Sequence, residues 1–261
     1  MDEAGRGAVL GPLVVAGVVV EEAHLPRLSD LGFRDSKTLS RDRRRALARA
    51  LGSCGARGRV VVIPAAAVDA ANLTDLELEA TAALVRRLSP GTVVMDTPVG
   101  LPAIPRFRGL LAARAGLPPA AVSVVPKADR DHPAAAAASV LAKAVRDGYV
   151  LLLRKHYGDF GWGYPGEEKV KSYLQAWISA HGTPPPFGRA RWRPVRDLLS
   201  GPLLESAAGC GSGGTRGEWA PSREKATRRT SCPSEPTNPT ADAGTACTGS
   251  WPGCGPRPGG P

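Results

Sequence analysis

Apolar and polar positions alternate along residues 1–200 in blocks that read as strands and helices in turn. VLGPLVVAGVVV (9–20) is a continuous apolar run, as expected of a buried strand. Ser40 is placed to cap a helix over RDRRRALARAL (41–51), and RVVVIP (59–64) reads as the next strand. Thr74-Asp75-Leu76-Glu77 has the form of a capping box, with Leu73 set to staple onto Leu78, and predicts a helix that Ser89-Pro90-Gly91 stops. TVVMD (92–96) is a strand ending on an acid, and AVSVV (121–125) is another. Pro133 suits a helix start, and AAAAASVLAKAVRDGYVLLLRKH (134–156) continues it as one long helix. A last helix is expected over about 167–181. This alternation predicts an α/β fold, a mixed sheet with helices packed on it.

The pattern stops near residue 200. From Gly201 to Pro261 the chain holds 12 Gly and 9 Pro, and after Leu204 no Leu, Ile, Val or Phe. Such a segment cannot bury enough apolar surface to offset its ordering entropy, so residues 201–261 are expected to be a disordered tail. That tail carries six basic and five acidic residues, so nearly all of the net charge of +10 belongs to residues 1–200. A basic domain favours an acidic partner, nucleic acid first. No apolar run is long enough to span a membrane, and the 11–20 segment lacks the basic leader of a signal peptide, so a cytoplasmic protein is expected. The five cysteines form no C-x-x-C pair, and no zinc site is expected.

Against this basic background, four acids fall at element ends: Asp2, Glu3, Asp96 and Asp129. Asp96 reads equally as a solvated strand end. Asp129 and Asp131 also suit helix capping. If the strands are neighbours, the acids converge, and carboxylates gathered together need cations. Oxygen donors suit Mg²⁺ or Mn²⁺. A pair of such ions serves phosphodiester hydrolysis, with lysines and arginines left to hold phosphates. Adjacent strand residues point to opposite faces. Asp2 and Glu3 therefore share a site only if the strand breaks between or just after them, and Gly5-Arg6-Gly7 offers the break.

DEAGRG (2–7), DSKTLS (35–40), VVMD (93–96), KADRDHP (127–133), ASVLAKAVRD (138–147) and GWGYPG (161–166) occur in that order. Together they make the chain resemble ribonuclease HII over about residues 2–198. The resemblance implies a ribonuclease H-like fold with a helical C-terminal extension at about 150–200. It implies cleavage of the RNA strand of RNA–DNA hybrids, and nicking 5′ of ribonucleotides embedded in duplex DNA to leave 3′-hydroxyl and 5′-phosphate ends, with Mg²⁺ or Mn²⁺. By the same resemblance Asp2, Glu3, Asp96 and Asp129 are the metal-binding acids. Gly5, Arg6 and Gly7 form the turn that reads the ribose 2′-hydroxyl, Tyr164 packs on the deoxyribose 3′ of the ribonucleotide, and Lys37 and Lys143 face the substrate backbone. Read from the spacing alone, Tyr164 is more readily an ordinary turn tyrosine, and the two lysines are equally solvated surface. Ser139 reads as a small packing residue, Arg146-Asp147 as a structural ion pair or a helix-end device, and His132 as surface or as support behind the site.

Three features depart from the family pattern. Met1 stands where the first half of the central strand is expected, so that strand is truncated and Asp2 lies beside an α-amine that competes with metal. A start placed too late in the gene is the expectation, and a catalytically impaired hybrid-binding module is the alternative reading. Gly166-Glu167 stands where Ser-Asp often follows, and is expected to weaken a phosphate contact or a cap. The tail has no counterpart, and 182–261 contains no glutamine-plus-aromatic peptide of the kind that binds a sliding clamp. Ribonuclease HIII is disfavoured by Arg6 and Tyr164. A monomer is expected.

Overall fold

The longest apolar run becomes a strand only from Leu13, because Gly11-Pro12 cannot continue a ladder. The computed structural model describes residues 1–33 and 38–200. Its strands are β1 (Asp2–Ala4), β2 (Leu13–Val19), β3 (Arg57–Ile63), β4 (Val93–Asp96) and β5 (Val122–Val125). Its α-helices are α1 (Leu25–Leu31), α2 (Arg41–Ala50), α3 (Ala65–Ala70), α4 (Leu73–Leu88), α5 (Ile104–Ala115), α6 (Ala128–Asp131), α7 (Pro133–Tyr157), α8 (Glu168–His181) and α9 (Arg193–Leu199).

β1, β2 and β3 form an antiparallel sheet in which Asp2 faces Ala16, Glu3 faces Val15 and Ala4 faces Val14. β4 and β5 pair in parallel. Met1 joins the two groups: its amine donates to the Val94 carbonyl at 2.8 Å, and the Asp96 N–H donates to the Met1 carbonyl at 3.3 Å. The spatial order is therefore β3-β2-β1-β4-β5. One face of β1 and β2 meets α7 through Ala4, Val14, Ala16 and Ala142. The other face meets α4 and α5 through Met1, Leu13, Val15, Leu78 and Leu111. The alanines at 135–138 are all buried, which lets α7 lie close to the sheet. α8 and α9 pack around Phe160, Phe187, Val9 and Leu10. No described helix is long and apolar enough to cross a membrane.

Two local expectations change. Ser40 does cap α2, accepting from the Arg43 N–H at 3.2 Å. The cap of α4, however, is Asn72, whose side chain accepts from Thr74 and Asp75 N–H groups; the Thr74–Glu77 box does not form. Glu77 is instead turned inward onto Arg6. The Arg146-Asp147 pair also dissolves. Asp147 pairs with Arg44 at 2.7 Å, and Arg146 reaches the Trp162 carbonyl at 2.9 Å. Lys37 and the 201–261 segment lie outside the described residues.

β1 is three residues long, and a cavity of about 510 Å³ adjoins Met1. Val18, Val19 and Val20 line one side, and Thr92, Val93 and Val94 the other. The register that sets Asp2 opposite Ala16 runs straight into this space. Joining three β-branched residues ahead of Met1 is expected to continue the ladder there and raise the melting temperature by about 5 °C or more, given roughly 1.5–3 kcal/mol per large side chain buried. The same extension with a central proline, which lacks the ladder N–H, gives a smaller rise. Equal rises for the two would contradict a strand-shaped space.

Candidate active site

The strand at residues 2–4 is regular, so its two acids point to opposite faces. Asp2 is buried toward α7, where the Ser139 hydroxyl bonds its carboxylate and the Lys143 ammonium lies nearby. Ser139 is thus more than a packing residue. Lys143 Nζ also donates to Ser139 Oγ at 3.2 Å, so this lysine stands beside Asp2. Glu3 turns toward α4, with Glu77 and Arg6 as its charged neighbours. The break that the sequence offered comes after the pair, at Gly5, whose φ is +89°. A Cβ there would lie 2.5 Å from the Pro12 carbonyl oxygen, so the turn requires glycine.

Asp96 ends β4, and its Oδ1 accepts from the Thr97 N–H at 3.0 Å and the Ala128 N–H at 3.3 Å. The second bond draws the start of α6 onto the end of β4 and sets buried Asp129 next to it in sequence. Because Met1 bridges to β4, the ends of β1, β4 and α6 occupy one region. Glu3 and the Met1 amine both feel the Asp96 charge.

Burial dominates the electrostatics. It pushes the Asp2 carboxyl up, against the Ser139 bond and the Lys143 charge. It pushes Glu3 up to about 8, helped by the like charges of Asp2 and Glu77. Glu77 is raised by burial and held down by Arg6, whose Nε donates to Glu77 Oε1 at 2.8 Å. Burial also lowers the Met1 amine to about 6. That amine is bonded to Val94 and forms no ion pair with Asp2 among the described residues, and its charge still acts on the Asp2 carboxyl.

Glu3 Oε2 is buried with no hydrogen-bond partner. An unpartnered carboxylate oxygen beside two further acids is the donor chemistry of a hard divalent cation. No three described Asp, Glu, His or Cys side chains stand close enough to cage an ion by themselves. Asp2 and Glu3 leave β1 on opposite faces, so an ion held here would take few ligands from the chain and keep water and substrate oxygens in its shell.

Tyr164 is 40% exposed, with the Arg146 guanidinium 4.7 Å from its ring centre. The Gly163 carbonyl accepts from Val9 and Leu10 N–H groups at 2.8 and 3.2 Å, which ties this turn to the segment that follows Gly7. Glu167 makes no side-chain cap for α8, as expected of that position, and its side chain is used elsewhere. Its carboxylate accepts from the Trp162 N–H at 2.8 Å and the Tyr164 N–H at 3.1 Å, so it fixes the tyrosine's backbone. His132 is exposed at the start of α7, as read from the sequence. Glu77 and Arg189 are residues that the sequence did not mark as part of this region, and of the two Glu77 left a signal there, as an acid inside an apolar helix face.

A sheet in the order β3-β2-β1-β4-β5, with carboxylates at the ends of its middle strands, defines an α/β nuclease of the ribonuclease H class. The family model for ribonuclease HII matches residues 1–195. The ribonuclease HII of Thermofilum pendens is 40% identical over 207 residues, covering 74% of this chain and 94% of that protein. Among solved structures, the ribonuclease H2 of Pyrococcus horikoshii OT3 superposes with a TM-score of 0.70 at 32% identity, over 76% of this chain and 94% of that one. The ribonuclease HII solved in complex with PCNA from Archaeoglobus fulgidus gives 0.67 at 36% identity, over 74% and 93%. The chain belongs to the ribonuclease HII family. It is a ribonuclease H, a nuclease acting on RNA–DNA hybrids.

The raised carboxyl of Glu3 has a consequence for stability. Between its ordinary value of 4.5 and about 8, the folded chain holds a proton that the unfolded chain has lost, so its contribution falls as pH rises. In chelator, Glu3→Gln is expected to be more stable than the parent chain, by a margin that grows from about pH 5 to about pH 8. Excess Mn²⁺, which favours the ionised carboxylate, should shrink or reverse the margin at pH 8. Thermal melts of both chains across pH measure this; a margin that narrows as pH rises in chelator contradicts the burial of Glu3.

Proposed function

We propose that Asp2, Glu3, Asp96 and Asp129 hold Mg²⁺ or Mn²⁺, two ions during catalysis. On this reading the protein cuts the RNA strand of hybrids and nicks DNA duplexes 5′ of an embedded ribonucleotide, leaving 3′-hydroxyl and 5′-phosphate ends. The observation that carries the proposal is the buried, unpartnered Glu3 oxygen, on a side chain that feels the charges of Asp2 and Asp96. Such ions supply activation of water and stabilisation of the leaving oxygen. The chain's own residues position the substrate around them.

The 2′-hydroxyl is the group that separates RNA from DNA at a given site. Gly5, Arg6 and Gly7 follow the two acids one residue on, after Ala4 at the end of β1, within reach of a nucleotide whose phosphate sits at the carboxylates. Gly7 is exposed, so its backbone is open to a ligand. The half-exposed Tyr164 ring offers a flat apolar face for the deoxyribose on the 3′ side. Lys143 balances the charge of Asp2 and meets the phosphate backbone. Lys37, outside the described residues, is assigned a backbone contact on the resemblance of DSKTLS alone.

The partners on this reading are RNA–DNA hybrid and ribonucleotide-containing DNA duplex, met by a monomer in the cytoplasm. The PCNA complex of the Archaeoglobus fulgidus relative supports a sliding clamp as a further partner, although 182–261 offers no clamp peptide.

Asp96→Asn is expected to abolish cleavage while duplex affinity changes less than about twofold, because it removes a metal ligand and no phosphate contact. Turnover at the parental rate would overturn the metal assignment. Tyr164→Ala is expected to reduce nicking at a single ribonucleotide at least about tenfold more than cleavage of a long hybrid, read from kcat/KM on the two substrates. Equal losses would remove its role at the junction.

A further inference from the structure

The Gly5–Gly7 turn is gripped from below by a residue more than 180 positions away in sequence. Arg189 is fully buried. Its Nη2 donates to the Gly5 carbonyl at 2.7 Å and its Nη1 to the Arg6 carbonyl at 2.8 Å. The segment around it is laid against the residues that follow the turn: the Arg189 N–H donates to the Val9 carbonyl at 2.9 Å, and the Gly11 N–H to the Phe187 carbonyl at 2.8 Å. The Trp192 ring lies 4.6 Å from the guanidinium carbon.

This is an expensive arrangement for stability alone. Arg189 forms no ion pair among the described residues, its Nε has no partner, and the second buried guanidinium, Arg146, repels it. Its two donor nitrogens are committed to consecutive carbonyls of one turn. In a planar trans peptide the C=O and the following N–H point in opposite directions. Holding the Gly5 and Arg6 carbonyls toward the interior therefore aims the N–H groups of Arg6 and Gly7 outward. Neither N–H donates to any described protein acceptor.

We propose that Arg189 is a positioning residue: it fixes the two outward N–H groups of the Gly5–Gly7 turn and so sets the protein's preference for a ribonucleotide over a deoxyribonucleotide. The inference rests on the reading of that turn as the site that meets the ribose. Arg189 touches no substrate itself. Arg146 supports the same turn by packing, with its Nε 2.4 Å from where a Cβ on Gly5 would stand, but it bonds neither carbonyl of the pair.

The test compares affinities of the full chain, in chelator, for a labelled DNA duplex with one ribonucleotide and for the same duplex made wholly of DNA. The parent chain is expected to favour the first. Arg189→Met, which keeps the bulk and removes the donors, should lower that preference about tenfold, with affinity for the all-DNA duplex nearly unchanged. Arg189→Lys keeps the charge but spans only one carbonyl, and should lose about threefold; it carries the test if the methionine variant fails to fold. Preference retained at the parental value by Arg189→Lys and by any folded Arg189→Met overturns the role of Arg189 and leaves the reading of the turn standing. Equal weakening on both duplexes marks Arg189 as structural and likewise overturns it. A parent chain with no preference overturns the reading of the turn, and the role of Arg189 with it.

Discussion

A single residue's backbone holds the two halves of the sheet together. Met1 gives one hydrogen bond to β4 and takes one from it, while the next three residues pair with β2. The placement of the site follows from that link. It sets Asp2 against α7 and Glu3 against α4, brings the end of β4 alongside, and through Asp96 and the Ala128 N–H fixes where Asp129 begins its short helix. The turn at Gly5–Gly7 leaves the sheet at the point where the acids end. A shift of one residue in this pairing would exchange the faces of the two carboxylates.

The price of this placement is electrostatic. Asp2 is buried and the adjacent Glu3 half-buried, with Glu77 close behind Glu3, and desolvation opposes their ionisation. The protein compensates unevenly. Asp2 has Ser139 and Lys143 beside it, Glu77 has Arg6, and Glu3 is left with a bare oxygen. An apolar residue at position 3 would relieve that cost, so retaining a carboxylate there is understandable as preparation for a cation. The basic character of residues 1–200 is complementary, since it favours a polyanion over the acidic centre.

Much of this was legible in the sequence where the signal is local. Ser40 before RDRRR, Pro133 before the alanine run and Ser89-Pro90-Gly91 marked true helix ends, and the alternation of strands and helices gave the fold class. The cap at α4 was misplaced because Asn72 competes better for the free N–H groups than Thr74 does, and because Glu77 is bound to Arg6 from 71 residues away. α5 was missed: its arginines and its glycine blur the apolar stripe of Phe107, Leu111 and Ala115. α1, α3 and α9 are too short for periodicity to single out. The four acids were visible as ends of elements. The buried arginines were not, since a sequence gives every reason to place Arg146 and Arg189 in solvent, and only long-range packing brings them under the turn.

The most direct test of the account is the cutting reaction of the unmodified 261-residue chain on an end-labelled DNA duplex carrying one ribonucleotide, with Mg²⁺, Mn²⁺ or chelator. The account predicts a single nick on the 5′ side of the ribonucleotide, leaving a 3′-hydroxyl, with either ion and none in chelator. Cleavage that persists in chelator, or a nick on the other side of the ribonucleotide, would contradict it.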